Sequence, residues 1–454
     1  MRLLMPLVGL LMLAATAQPV CAQETLTLEE AVRIGLTRSP SLRQAEAVEL
    51  QEGAGELDRW DRLFPSLTFS TGLNQSEVLQ RTASDPITGG IIQLPDSLIR
   101  LRETFGTQGV LSASWTLFDG GESIQGLRQS RAEGRAAGLA LHAARTRVAA
   151  TVTLAYLDAL EAAALETALQ AEVVRAQGLE ATAVGRFDVG EVPEVDALQA
   201  RLATSDAELS LMEAETASFA ARLNLFQHLR LPADSPVELE EPGTVPGLED
   251  LSLEELRQVA LTESRELAAL QARVQAAERG HDAQRWWFLP SVSVGGQWIR
   301  SEFGQTREAI TFAPRNEQAY YRLNFSWNPM ERLGGTLADG RRARAAVSLA
   351  EAELDIQRAT VASGVEAALD RMARAQVLEE RSEVNLQLAA RQLEQAEERY
   401  RLGLAPLTER LTAEALAADA QRQAIVARYA GLRGLAELEM ASGVPFLPWS
   451  TGGP

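Results

Sequence analysis

Asp196 and Glu409 are the residues best placed to do chemistry in this chain. Each stands six residues beyond a glycine, Gly190 or Gly403, and three beyond a proline, Pro193 or Pro406. Carboxylates at matched positions, repeated by symmetry around a pore, would form a ring that attracts cations. The first turn of a helix also favours acids, because they meet the positive end of its dipole. The sequence leaves both readings open. Little else invites catalysis. All 43 basic residues are arginine, which removes Schiff-base chemistry and lysine-dependent phosphate loops. His142, His228 and His281 are scattered, with no helical pair and no ligand cluster, and read as solvated or packed. Arg341, Arg342 and Arg344 follow Gly340 and read as a solvated face. No serine, histidine and acid recur together in a way that suggests hydrolysis. The chain is therefore expected to be no enzyme and to need no cofactor or metal.

The two acids are positioned by two matching turns, Arg186-Phe-Asp-Val-Gly190-Glu-Val-Pro193 and Arg399-Tyr-Arg-Leu-Gly403-Leu-Ala-Pro406. Glycine can adopt the left-handed conformation that ends a helix. Arginine in the last turn complements the helix dipole, and proline at the first position of the next helix loses no hydrogen bond. Each site predicts a hairpin tip between two long antiparallel helices. Proline is absent from 96 to 192, 194 to 231, 330 to 405 and 407 to 444. A helix from Glu122 to Asp188 would be about 100 Å long at the standard rise. Val195, Leu198, Leu202, Leu209, Met212, Phe219, Leu223 and Phe226 follow a 3,4 spacing broken at Ser205 and Thr216. Leu386, Ala389, Leu393, Ala396 and Tyr400 repeat it. That spacing predicts coiled-coil seams, and core packing accounts for Tyr400.

The turns belong to a larger duplication. Leu26-Thr-Leu-Glu-Glu30 recurs as Leu251-Ser-Leu-Glu-Glu255, Leu36-Thr37 as Leu261-Thr262, and Pro65-Ser66 as Pro290-Ser291. Trp115 then matches Trp327. The first repeat spans 23–230, with a tip near 187–193. The second spans 251–444, with a tip near 400–406. Residues 231–250, with four prolines, form a linker or equatorial segment, and 445–454 a C-terminal tail. Residues 1–22 read as a signal peptide: Arg2, an apolar stretch from Leu3 to Ala15, then Val20-Cys21-Ala22 before Gln23. Cys21 admits lipoprotein processing as a rival, but Gln18-Pro19-Val20 lacks the leucine and small residues of that route. Cys21 is the only cysteine, so the mature chain is expected to carry no disulfide or thiolate metal site. No other stretch reads as long and apolar enough for a transmembrane helix. The balance of 62 acidic against 43 basic residues argues against nucleic acid.

Each repeat also predicts two strands, about 66–76 and 109–118, then 291–300 and 320–328. Leu67, Phe69, Leu111, Trp115, Val292, Val294, Trp298, Tyr321, Leu323, Phe325 and Trp327 alternate with small or polar residues. The alternation suits a barrel strand between lipid and a wet lumen, and equally a half-buried soluble sheet. The signal peptide and the tryptophans at strand ends favour the barrel, with these eleven facing lipid. Four strands cannot close a membrane barrel, so several chains must share one.

The ordered set Leu-Thr-Leu-Glu-Glu-Ala, Phe64-Pro65-Ser66, Trp115-Thr-Leu-Phe-Asp-Gly-Gly121 and Arg-aromatic-x-x-Gly at both tips resembles the TolC family over nearly the whole mature chain. The resemblance implies a mainly α protein with a small β part. Each chain would give four transmembrane strands and long periplasmic coiled-coil helices. A homotrimer would form a twelve-stranded barrel in outer-membrane lipid and an α-helical tunnel in the periplasm. It implies the exit duct of a tripartite efflux or type I secretion system for drugs, metal ions or proteins. The tip residues Val189, Gly190, Glu191, Val192, Leu402, Gly403 and Leu404 would dock onto a periplasmic adaptor, a membrane fusion protein, served by an inner-membrane pump. Asp196, Glu409 and Tyr400 would form the periplasmic gate. Thr412 and Ala405 depart from members that carry a second acid and an arginine there. The alternative is a non-conducting coiled-coil scaffold linking the outer membrane to a partner.

Overall fold

The computed structural model describes residues 24–84, 87, 89–93, 95, 100–233, 235–242, 253–286, 288–310, 314–328, 333–447 and 449. The expected signal peptide and Cys21, most of the second half of the linker, and residues 450–454 lie outside them. The fold is mostly helical with a smaller strand part. Two compact units result, and the chain passes between them more than once.

One unit comprises residues up to Leu42, Ala143–Ser264 and Val361 onward. It begins with β1 (Glu24–Leu26) and α1 (Leu28–Arg38), whose first turn is capped by Thr27 accepting the Glu30 N–H at 3.2 Å. It takes the later part of α3 (Glu122–Asp188) and all of α4 (Glu194–Leu229). Within the stretch expected as a linker, β6 (Val237–Leu239) pairs in parallel with β1. The Tyr156 hydroxyl, from α3, lies 2.6 Å from both the Leu26 and the Glu240 carbonyls, pinning the two strands to the helix. Leu26, Val32, Tyr156, Leu157, Leu225 and Phe226 form the core beneath them. The unit is completed by α5 (Leu253–Thr262), the later part of α7 (Leu333–Arg401) and α8 (Leu407–Ser442). The buried Glu439 carboxylate accepts the N–H groups of Phe446 and Leu447 at 2.6 and 2.5 Å, folding the start of the tail onto α8.

α3 runs over the residues expected for the first long helix. It corrects one expectation, for a window inside it is long and apolar enough to cross a membrane. Half of that window is buried inside the fold, so a core helix meets the same criterion.

The other unit comprises Arg43–His142 and Arg265–Thr360. It holds most of α2 (Pro40–Asp61), α6 (Arg265–Ala283), the early parts of α3 and α7, and a four-stranded antiparallel sheet. The sheet strands are β2 (Ser66–Gln80), β5 (Arg100–Asp119), β7 (Ser291–Gly304) and β8 (Asn316–Ser326), in the order β2-β5-β7-β8. A small ladder of β3 (Thr82–Ser84) and β4 (Ile91–Gln93) occupies part of the connection from β2 to β5. All four strands run past an expected bound, and β8 also stops at Ser326, short of its expected end. Beyond Asn74, β2 runs Gln75-Ser-Glu-Val-Leu-Gln80, with polar and apolar residues no longer alternating, so the period-two signal fades while the hydrogen-bond ladder continues.

The tips of the helical hairpins and the two faces of the sheet

At the first tip Gly190 takes φ +79° and at the second Gly403 takes φ +70°, a region in which a side chain is strained. The bonding is the same at both. The Gly190 N–H donates to Phe187 and the Glu191 N–H to Arg186, at 2.8 and 2.9 Å. The Gly403 N–H donates to Tyr400 and the Leu404 N–H to Arg399, at 3.0 and 2.8 Å. This paired pattern closes a helix C-terminus on a left-handed residue. Pro193 and Pro406 stand at the N-cap with extended backbone, one residue earlier than the sequence predicts. Val189, Gly190, Glu191, Leu402, Gly403 and Leu404 are exposed, and Val192 is half-exposed.

The side chains at the two tips diverge. Arg186 donates to Glu191 at 3.1 Å, a bond within its own turn that raises the arginine pKa further. Arg399 instead donates to Glu409 at 2.5 Å, across the hairpin from α7 to α8. Of the two expected gate acids, Glu409 is therefore latched, and Asp196, half-exposed in the first turn of α4, is not joined to Arg186. Tyr400 is buried against Leu179, Ala183, Ala200 and Leu407, which brings all four long helices together. Its ring lies between the Arg186 and Arg410 guanidiniums, 5.4 and 5.6 Å from its centroid, within cation–π range. Its hydroxyl is buried with no hydrogen-bond partner of normal geometry among the described residues. Read from the sequence, Arg399 is a partner of the helix dipole alone. The pairing was foreshadowed by an arginine in a last turn with an acid ten residues on, across a glycine–proline turn.

In the sheet, registers join ten of the eleven residues expected to face lipid. Phe69, Leu111 and Trp298 form one row, Leu67 and Tyr321 end another, and Trp115, Val294 and Leu323 form a third. An irregularity between Thr116 and Phe118 shifts the register, so Phe118, not Leu117, pairs with Val292 and through it with Phe325. Cross-strand partners share a face, so this face is an apolar band, and Trp327 continues it just past β8. The opposite face carries Ser66, Ser114, Gly295 and Arg322 in one row and Thr68, Ser112, Gln297 and Tyr320 in the next. The repeat reappears in the hydrogen bonds that anchor this band. Trp115 donates its indole N–H to the Leu63 carbonyl at 2.9 Å and Trp327 to the Phe288 carbonyl at 3.0 Å, each two residues before the matched proline.

Residues 33–229 and 256–444 match the sequence profile described as outer membrane efflux protein. The chain belongs to the outer membrane efflux protein family. Its two matched segments are the two repeats. Among solved structures it is similar to the CmeC outer membrane channel of Campylobacter jejuni, at TM-score 0.78 and 18% identity over 92% of this chain and 85% of that one. It is similar to the outer membrane protein VceC of Vibrio cholerae, at TM-score 0.77 and 17% identity over 92% and 96%. It is similar to the MtrE outer membrane channel of Neisseria gonorrhoeae, solved in an open state, at TM-score 0.70 and 17% identity over 92% and 88%. No curated protein sequence matches the chain. This outer membrane efflux protein is an exit duct of the outer membrane, with its helical part in the periplasm. Of the two functions left open by the sequence, the duct is the one the family carries.

Proposed function

We propose that the protein works as a trimer in a tripartite efflux or type I secretion assembly, and that it catalyses nothing itself. The observation that carries this reading is the sheet. It has one apolar face, one polar face, and ends at β2 and β8. An unpaired strand edge cannot sit in hydrocarbon. β8 of one copy therefore pairs with β2 of the next, the band around Leu67, Phe69, Leu111, Trp115, Val292, Val294, Trp298, Tyr321, Leu323, Phe325 and Trp327 meets lipid, and the serine-rich face lines the lumen. Three copies give twelve strands, the closure implied by the resemblance. On α4, Val195, Leu198, Leu202, Leu209, Met212 and Phe219 stay exposed in the single chain, which offers a surface for neighbouring copies.

The exposed tips, with Val189, Leu402 and Leu404 projecting beside the glycines, dock onto a periplasmic adaptor served by an inner-membrane pump, which supplies the energy. Asp196 and Glu409, threefold repeated, ring the entrance, and the Arg399–Glu409 bond holds it narrow. A photo-crosslinking residue at Glu191 in living cells tests the docking. Capture of a periplasmic adaptor is expected, and its class identifies the cargo system. Probes at both Glu191 and Leu404 that capture only the protein itself would overturn adaptor docking.

A further inference from the structure

The polar face of the sheet carries a single charge over most of its height. From the row of Ser293 and Asn324 to the row of Gly72 and Asn316, only Arg322 on β8 is charged on that face. Arg300 and Glu317, cross-strand partners, fall by the same alternation on the apolar face. Asp119 shares the polar face two rows from Arg322, but its carboxylate accepts the N–H groups of Gly121 and Ser123 at the start of α3.

Arg322 is exposed and lines a notch of about 350 Å³, within the range of small-molecule sites. Its cross-strand partner Gly295 has no side chain, which leaves the space beside the guanidinium open. Ser114, Ser293, Gln297, Tyr320 and Asn324 complete the wall. Hydroxyl and amide hydrogens around a cation are the donor set for an oxyanion. Barrel closure keeps this site. Pairing β8 with β2 of the next copy joins strands edge to edge and leaves the face open. From Ser66 to Asn74 the polar face of β2 holds only serine, threonine, glycine and asparagine, so the neighbour brings hydroxyls and no acid in any register. In the trimer Arg322 recurs on one level of the lumen. Arginine rings select anions in pores, and low-dielectric walls focus their field.

We infer that Arg322 and the hydroxyls and amides beside it bind a small organic oxyanion, a sulfonate, phosphate or carboxylate, on the lumen wall. The inference rests on the barrel reading above. The mature protein in neutral detergent at low salt is titrated with the pyrene trisulfonate pyranine, followed by anisotropy. Saturable binding is expected, weakened at least tenfold by Arg322→Gln. Arg300→Gln removes the same charge from the apolar face and should leave binding unchanged. Absence of saturable binding overturns the inference. So does binding that survives Arg322→Gln, or an equal loss in Arg300→Gln. A water-soluble maleimide tests the barrel reading separately, in proteoliposomes. It should label Ser112→Cys, on the polar face, and spare Leu111→Cys, on the apolar one. With that pattern, a failure of dye binding falls on the inference alone. The reverse pattern overturns the barrel reading and the inference with it.

Discussion

The two hairpins share their backbone chemistry and differ in what their side chains face. On α4 the large apolar stripe from Val195 to Phe219 is exposed, and small residues, Ala197, Ala200, Thr204 and Ala207, are buried in its place. On α8, the helix that repeats α4, the matching positions Leu411, Ile425 and Leu432 are half-buried. At the tips, the first arginine bonds within its turn and the second across to the next helix. Duplication thus supplied one turn twice. The side chains then diverged, one hairpin leaving a large apolar stripe exposed and the other latching across its own turn.

The largest effect should come from breaking that division on α4. Leu202→Glu with Leu209→Glu removes apolar contact worth on the order of 3–6 kcal/mol per copy if the stripe packs between protomers. Light scattering should report loss of the trimer, while circular dichroism retains the helix content. A trimer that survives the double change would place the interface elsewhere.

Next in size are the tip glycines, where the hairpins are alike and the responses should be alike. Gly190→Ala and Gly403→Ala each force a side chain into the left-handed region, at about 1–2 kcal/mol. Hydrogen exchange at the mutated tip should quicken about tenfold, since 1.4 kcal/mol is a factor of ten. A change confined to one tip would mean that only one turn holds its conformation under load.

The latch then separates the hairpins again. Both arginine–acid pairs are substantially exposed, so each contributes about 0.5 kcal/mol. Three copies of the Arg399–Glu409 bond sum to about 1.5 kcal/mol, roughly a tenfold bias toward the closed entrance. Glu409→Gln should raise the open probability in planar bilayers severalfold, and Glu191→Gln should leave it unchanged. Equal effects from both variants would dissolve the distinction between the tips.

The parts of this fold that the sequence made legible are those governed by local rules. Glycine and proline punctuation located both tips, and the absence of proline let α3 run unbroken from Glu122 to Asp188. Alternation found the apolar band, because one face of a strand must be oily and the other wet. What the sequence hid depends on partners far apart in the chain. The outer ends of β2 and β5 do not alternate between apolar and polar residues, and only their ladder identifies them. The 3,4 spacing on α4 is that of a seam, but spacing cannot say whether a seam closes within the chain or outside it. Arg399 reads as a dipole partner until the hairpin brings it to Glu409.

The smallest expected effect decides the role of Tyr400, which the sequence admits as both gate residue and core residue. Its ring packs where the four helices meet, so Tyr400→Ala should cost about 3–5 kcal/mol, as aromatic truncations in cores do. Its hydroxyl is buried without a hydrogen-bond partner of normal geometry among the described residues, and removing an unsatisfied polar group is neutral or stabilising. Tyr400→Phe keeps the ring between Arg186 and Arg410 and deletes only that oxygen. Thermal unfolding should shift upward slightly or not at all, and the open probability should stay at the wild-type value. A gate bond made by the hydroxyl in the assembled channel predicts the reverse, a more open pore with unchanged stability. One conservative substitution, read by a melt and a conductance trace, therefore assigns Tyr400 to the packing between the hairpins or to the latch of the second.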